Sequence, residues 1–351
     1  MSHQANQNEM VPKQQRRRWW ASRTGEPTTP IRATALARPF GQPGQTALLE
    51  HKVPFVRSQG FSAFFFLLPA VIVVFGIIVY PMIRTGIYSV TSVTSAMQTT
   101  SKFVGLHNFM TAVSTGNFWA SMGRTLYFTV VSTGIELVLG LGIAALLNSK
   151  MRFRWLLRTL VVIPWAVPTI VSGALWKGIF NAQFGAFNAL LQQLGIIHQY
   201  SDAPIWLGTP WLALNMVVVA DVWKTVPVVA FMLLAGLSSI PEDIYEAARI
   251  DRAGPVRTLW SITLPLLLPS ISIVLVLRII EAFKVFDVIY AMTRGGPANG
   301  TMTIAVYAYN VAFSNQQFSL GSALAYMIVL AIAILSAIYL RALRRSEMSL
   351  L

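Results

Sequence analysis

Hydrophobic positions in this 351-residue chain gather into long unbroken stretches, not into the alternating or three-and-four spacings of a soluble domain. Six stretches approach or exceed the roughly 20 apolar residues that a helix needs to cross a hydrocarbon layer about 30 Å thick. They run from about Phe61 to Tyr80 with a continuation toward Tyr88, Thr125 to Leu147, Leu160 to Phe180, Trp211 to Leu237, Ile262 to Tyr290 and Ser322 to Leu340. Only helices and closed barrels satisfy their own backbone in lipid, and a barrel would show short alternating strands. The pattern therefore predicts an all-α polytopic membrane protein with six transmembrane helices. Pro69 and Pro81 mark kinks or ends in the first stretch, and Pro164 and Pro168 are placed to bend the third. A short helix is expected near Phe187 to Leu194, in the connection before the fourth stretch. Gly295, Gly296 and Pro297 set turns in a loop from Thr293 to Leu320.

Composition sharpens this picture. With 55% hydrophobic and 11% charged residues the chain lies outside the range of soluble domains. A formal charge of +14 raises the question of nucleic acid, which the placement of the basic residues answers. Arg16 to Arg18, then Lys150, Arg152, Arg154 and Arg158, then Arg249, Arg252 and Arg257, then Arg341, Arg344 and Arg345 fall on one side of a six-crossing chain. That is the positive-inside distribution. It predicts a multi-pass protein of the cytoplasmic (inner) membrane with both termini cytoplasmic and no nucleic-acid partner. Residues 1–58, polar and aperiodic, read as a disordered basic cytoplasmic tail. Residues 59–345 read as the transmembrane domain and 346–351 as a cytoplasmic C-terminal tail. Trp19 and Trp20 beside the first arginines suit an anionic lipid surface as well as they suit water.

Between the fourth and fifth stretches lies a polar island, residues 239–265. Ser239 and Glu242 have capping-box spacing, Pro241 fits a first helical turn, and Gly254 before Pro255 is a stop signal. A cytoplasmic helix of about 14 residues, on the order of 20 Å long, is expected there. Ile244, Ala247, Ala248 and Asp251 fall on adjacent positions, placing small side chains beside an acid on one face. Such a face admits close approach of another surface and pairs with its basic groups.

Glu246, Ala247, Ala248, Asp251 and Gly254, followed by Ile262, Leu264 and Pro265, resemble the signature EAA loop of ABC importer permeases. Arg252 stands where that family usually has glycine directly after the aspartate. Trp176 with Lys177, Gly185, Asn188, Trp223 with Lys224, and the run Ala235 to Pro241 resemble sugar permeases of the maltose-transporter type. Ala282, Phe283, Phe286 and Asp287, then Thr293, Gly295, Gly296, Pro297 and Thr301, and Phe103 to Phe109 in the first outer loop, fit the same branch. The resemblance spans about residues 61 to 345. It implies a permease subunit that moves a di- or oligosaccharide in an ATP-driven importer, its loop docking as a coupling helix into a separate ATPase. The implied partners are a second homologous permease, two cytoplasmic ATPase subunits and an external sugar-binding protein. Glycerol phosphate, carried by near relatives, is the alternative cargo.

Within the stretches, Glu136, Asp221, Lys224, Arg278, Glu281, Lys284 and Asp287 are charged, which is costly against lipid and invites a functional or pairing role. Spacings of three suggest that Asp221 pairs with Lys224, Arg278 with Glu281 and Lys284 with Asp287, while Glu136 must bond across the bundle. Trp223, Phe283, Phe286 and Tyr290 offer faces on which a sugar would stack. Together with Asp221, Lys224 and Asp287 they are the candidate substrate pathway, core packing being the competing reading for each aromatic.

No G-x-x-x-x-G-K-[ST] loop, H-E-x-x-H or G-x-S-x-G occurs, and no histidine sits deep inside a stretch. No catalytic residue, metal site or cofactor is therefore expected in this chain; ATP and Mg²⁺ belong to the ATPase partners. Cysteine is absent. An ion-coupled secondary transporter is the remaining alternative, and no clear internal repeat supports it.

Overall fold

The computed structural model describes residues 59–93, 102–149 and 151–348. The tail assigned to residues 1–58, with its tryptophan pair, lies outside the described residues. The chain divides into two units, Met1–Phe64 and Phe65–Leu351. Of the first, only the opening of one helix is described.

The first apolar stretch becomes α1 (Gln59–Val73), a π-helical segment Val74–Val79 and α2 (Tyr80–Ser89). Its extension through Ser89 matches the longer of the two expected ends. A two-residue ribbon follows, β1 (Thr91–Ser92) antiparallel to β2 (Lys102–Phe103) with Thr91 opposite Phe103, then α3 (His107–Ser114). The second crossing is α4 (Gly116–Asn148). The third is broken into α5 (Arg154–Ala166) and α6 (Thr169–Ile179), which meet at 93°. The outer connection holds α7 (Ala186–Gln193) and a 3₁₀ turn Tyr200–Asp202. The fourth crossing is α8 (Pro210–Ser238), and the polar island holds α9 (Glu242–Ile250). The fifth is α10 (Pro255–Thr258), a π-helical segment Leu259–Thr263 and α11 (Leu264–Phe283). After a break come α12 (Asp287–Met292), α13 (Ile304–Tyr309) with a π-helical turn Asn310–Ser314, and the sixth crossing, α14 (Phe318–Met348).

The all-α polytopic architecture is as expected: among the described residues five helices are long and apolar enough to cross, or six with the bent α5–α6 pair taken as one span. Several boundaries differ, among them those of the third crossing, which starts at Arg154, and of the sixth, which runs from Phe318 to Met348. α4 begins at Gly116 rather than Thr125, because no helix breaker separates the polar turns at its outer end from the apolar shaft. The fifth crossing spans Pro255–Phe283, not Ile262 to Tyr290. It starts where Pro255 opens a helix and stops where Phe286, at φ −135° and ψ −57°, interrupts the ladder. The loop expected from Thr293 to Leu320 contains an apolar helix, Ile304–Ser314, too short to cross.

α4 and α8 form the central seam. α4 turns Ser121, Thr125, Thr129, Ser132, Glu136, Gly140 and Ala144 into the core at spacings of three and four. Such small and hydroxyl-bearing residues let membrane helices approach closely. A Cβ on Gly140 would stand 2.6 Å from Val229 Cγ1. One apolar cluster, with Phe128, Phe283, Ile289 and Leu324, lies toward α12 and α13; a second, with Leu147, Leu233, Leu237 and Leu267, lies toward α9. The first crossing differs sharply: from Phe64 to Ile83 most of its large apolar side chains are exposed. Its end is gripped within the second unit, where the Tyr326 hydroxyl donates to Met82 O at 2.7 Å.

Candidate functional site

Helix α9 is shorter than its sequence signals suggest, nine residues instead of about 14, and both caps are reassigned. Ser239 Oγ donates backward to Gly236 O at 2.7 Å, closing α8, so Pro241 holds the cap position of α9. Glu242 and Asp243 occupy the first turn, where carboxylates favour the positive end of the helix dipole. At the other end Arg252, at φ 54°, is the left-handed residue. Its N–H donates to Arg249 O at 3.1 Å, and that of Ala253 to Ala248 O at 2.9 Å. These two bonds are a Schellman closure. Gly254, at φ −69°, is not the stop but the cap that opens α10. The glycine expected after Asp251 would relieve the left-handed position; Arg252 adopts it at a cost of about 1–2 kcal/mol.

The loop residues separate into two groups. Glu246, Ala247, Asp251 and Gly254 are exposed, whereas Ala248 is turned inward and buried. Ile262 and Leu264 are half-buried and Pro265 is exposed, all at the base of the fifth crossing and not on the loop helix. Tyr245 Oη lies 3.3 Å from Thr263 Oγ1, which ties α9 to that base. A cavity of about 990 Å³ opens behind α9, lined by Leu237, Ile240, Tyr245, Arg249 and Leu259. Ile250, Val256 and Trp260 add exposed apolar surface beside the acids. Sequence reasoning missed them; Ile250, one turn after Glu246, was the available signal.

The second arrangement lies inside the bundle. Arg278 in α11 donates from Nε to Glu136 Oε2 at 2.6 Å and from Nη2 to Glu136 Oε1 at 2.8 Å. Its Nη2 also reaches Asp221 Oδ2 at 3.4 Å, and its Nη1 reaches Glu281 Oε2 at 2.7 Å. Thr225 Oγ1 lies 2.8 Å from Glu136 Oε1 and also contacts Asp221 O, so its one proton is shared between two acceptors. Glu136 is 0% and Arg278 5% exposed. One guanidinium thus binds α4, α8 and α11 together in the forked geometry that suits arginine.

Of the three expected local pairs only Arg278 with Glu281 forms, and Glu136 does bond across the bundle. Asp221 faces Arg278 because its side of α8 closes on α4 and α11. Lys224 turns instead to the break in the third crossing, where its Nζ donates to Trp165 O at 3.2 Å and Val167 O at 2.6 Å. Those carbonyls have lost their helical partners at Val167–Pro168, so the ammonium satisfies backbone, not a carboxylate. Lys284 and Asp287 flank the α11–α12 break, both exposed, and no ion pair joins them.

The expected pathway aromatics also divide. Phe283 is fully buried in the core. Trp223 meets Trp176 edge-on at 5.8 Å. Phe286 and Tyr290 stack at 5.2 Å and are joined by Tyr309, at 5.0 Å from Phe286 and 5.4 Å from Tyr290, and then by Phe313. Tyr309 and Phe313 were overlooked because their segment reads as loop, although their i, i+4 spacing marks a helix face. Among the described residues no group of three metal-ligating side chains is placed to hold an ion.

Residues 136–348 match the family described as binding-protein-dependent transport system inner membrane component. The chain is 42% identical over 240 residues to the trehalose/maltose transport system permease protein MalF of Thermococcus litoralis, covering 68% of this chain and 79% of that protein. It is 35% identical over 281 residues to the sulfoquinovosyl glycerol transport system permease protein SmoG of Agrobacterium fabrum, covering 80% and 90%. The diacetylchitobiose uptake system permease protein DasB of Streptomyces coelicolor is 31% identical over 83% of this chain and 89% of its own. Among solved structures, a chain of a bacterial alginate ABC transporter in complex with alginate pentasaccharide-bound periplasmic protein superposes with a TM-score of 0.70 over 81% of this chain and 94% of its own. At 20% identity that likeness shows the shared fold. With its six crossings and its exposed acidic loop helix, the chain belongs to the family of inner-membrane components of binding-protein-dependent transport systems, and it is a multi-pass permease subunit of an ABC importer.

Proposed function

We propose that this permease carries a di- or oligosaccharide inward, driven by a separate ATPase that docks on α9. The observation that carries this reading is the position of α9. It presents Glu246, Ala247 and Asp251 outward at the turn between α8 and α11, the two crossings that the Arg278 network clamps to α4. A displacement of α9 is passed to α11 through Tyr245 and Thr263, and to α8 through the short Ser239–Pro241 link. The clamped crossings then swing together between inward-open and outward-open states, and ATP binding in the partner favours one state over the other.

The sugar class is supported by the relatives, whose names give trehalose, maltose, diacetylchitobiose and sulfoquinovosyl glycerol as their cargo. In this reading a second homologous permease, two ATPase subunits and an external sugar-binding protein complete the importer. The coupling loop, the basic tail 1–58 and the C-terminal residues 346–351 then share the cytoplasmic side, with the transmembrane domain, 59–345, between them. ATP and Mg²⁺ are held by the ATPases, and this chain performs no hydrolysis. Asp221 and Lys224 act on the pathway indirectly, by setting the positions of α4, α5, α8 and α11. Trp223, Phe286, Asp287 and Tyr290 are the surfaces offered to substrate.

The test is uptake of labelled trehalose and maltose into proteoliposomes holding the assembled importer, with ATP inside and the binding protein outside. Accumulation that needs all of these components is the expected result. Uptake driven by an ion gradient without ATP would overturn the reading.

A further inference from the structure

At the end of the bundle remote from α9, a notch of about 480 Å³ lies between the first turns of α4 and α8. Arg124 and Tyr127 of α4, Trp211 and Leu214 of α8, and Ala298 and Gly300 of the loop before α13 line it. Its walls are held from behind. The Tyr127 hydroxyl donates to Asn215 Oδ1 at 2.7 Å, and Asn215 Nδ2 donates to Trp211 O at 2.8 Å. The rings of Tyr127 and Trp211 meet at 4.5 Å. The loop is pressed so tightly on the start of α8 that a Cβ on Gly300 would collide with Pro210.

One charge lines this notch, and nothing in the chain answers it. Arg124 is half-buried, and it has neither a hydrogen bond nor an ion pair among the described residues. No carboxylate or side-chain amide lines the notch beside it. A guanidinium on a membrane crossing is costly unless it is paired or wetted, and Arg278, with its three carboxylates, shows the paired solution. For Arg124 the partner must be an anion from outside the chain, one that a planar fork can hold by two hydrogen bonds. A neutral sugar suits the notch poorly, because its hydroxyls would meet a donor but no carboxylate or amide to accept from them.

Depth separates the sources of such an anion. α4 has 33 residues and is about 50 Å long, well beyond a hydrocarbon layer of about 30 Å. Counted from Leu147, that layer uses about 20 residues and ends near Tyr127. Counted from Leu237 along α8 it ends near Val217, which leaves Trp211 about 9 Å farther out. Arg124, Tyr127 and Trp211 thus stand at headgroup level, where tyrosine and tryptophan gather in membrane proteins. Toward the midplane, Tyr127, Val130, Gly134 and Val138 follow at spacings of three and four and share one face of α4. Val130 and Val138 are 70% and 71% exposed, so an apolar strip leads directly away from the guanidinium.

We propose that the notch is a phospholipid site. The headgroup phosphate of a lipid in the leaflet remote from α9 binds the Arg124 guanidinium, and one of its acyl chains lies along Val130 and Val138. Cation, aromatic walls and apolar strip follow one another in the order in which a phospholipid presents phosphate, glycerol and chain. A free anion would use only the first of these, and the acidic surface of a soluble protein would leave the strip bare.

Native mass spectrometry of the full-length chain with its co-purifying subunits, titrated with dioleoylphosphatidylglycerol, tests this in wild-type, Arg124→Lys and Arg124→Gln forms. Wild type is expected to hold one lipid more tightly than the rest. Arg124→Gln should weaken that site about tenfold, as the loss of a charge-assisted hydrogen bond does, and Arg124→Lys, which keeps the charge without the fork, should fall between. Dioleoylglycerol, with the same chains and no phosphate, should leave the site empty. Filling of the wild-type site by dioleoylglycerol overturns the proposal, a comparison that needs no variant. Equal lipid affinity in wild type and Arg124→Gln, with equal Tm before lipid is added, overturns it too. Inorganic phosphate that displaces the lipid at equal concentration reduces the notch to a simple anion site and removes the lipid from it. Loss of a co-purifying subunit from Arg124→Gln, with lipid binding unchanged, assigns the guanidinium to a protein carboxylate instead and likewise overturns the proposal.

Discussion

The Arg278 network and the α9 loop each gather several charged residues, and they treat them in opposite ways. Around Arg278 three of the four contacts lie at 2.6–2.8 Å, most of the atoms are dry, and the partners come from three crossings. On α9 the ion pair of Glu246 with Arg249 spans 3.5 Å with side chains 60% and 68% exposed. An exposed pair of that kind contributes about 0–1 kcal/mol, so either member is free to leave it for another surface. A buried arginine with fixed carboxylates is not free in this sense, because losing a partner strands a charge away from water. The interior charges lock the crossings into one body, and the loop charges remain available to a neighbour. Importers need both properties, and here they lie at separate places on the same two helices.

The largest expected effect comes from breaking the interior. Arg278→Ala leaves Glu136 buried beside Asp221 without a counter-charge and is expected to cost about 3–5 kcal/mol, read as a lowered Tm and a smaller folded yield in detergent. Replacing Glu136 with Gln in the same chain should recover part of that loss. No recovery would mean that packing, not charge, holds the three crossings. Glu246→Lys should do the reverse. Uptake falls to background while stability stays within about 0.5 kcal/mol of wild type, read as a nearly unchanged Tm, since the side chain is exposed and weakly paired. A variant that unfolds instead would erase the contrast between the two regions.

Tyr245→Phe removes the hydroxyl that faces Thr263 and should cost about 0.5–1.5 kcal/mol. It should also lower the number of sugars moved per ATP, measured by parallel uptake and hydrolysis, because α9 loses its tie to α11. The smallest effect is expected at the left-handed turn. Arg252→Gly should stabilise the loop by about 1 kcal/mol, visible as slower amide exchange at Ala253, with transport unaltered.

Much of this arrangement was legible from the chain because membrane spans announce themselves by length and because the loop residues carry a specific resemblance. The misreadings share a physical origin. Spacing along one helix tells which residues are neighbours on it but not which side the bundle closes on. Asp221 and Lys224, adjacent on α8, consequently found separate partners in α11 and at the α5–α6 break. Ser239 and Gly254 each lie between two helices, and both went to the helix that the signals did not favour. The helix Ile304–Ser314 escaped notice because half a span, framed by glycine and proline, has the composition of a loop. Tyr309 and Phe313 were lost with it.

Lys224 is synthesised 57 residues after Val167, whose carbonyl it holds. At about 5–20 residues per second the broken corner waits roughly 3 to 11 seconds for the group that completes it. A bare carbonyl in hydrocarbon costs several kcal/mol, so during that interval residues 154–179 are kept near headgroup water. The third crossing is therefore expected to gain its full stability in the bilayer when the fourth lies beside it and Lys224 covers the broken corner.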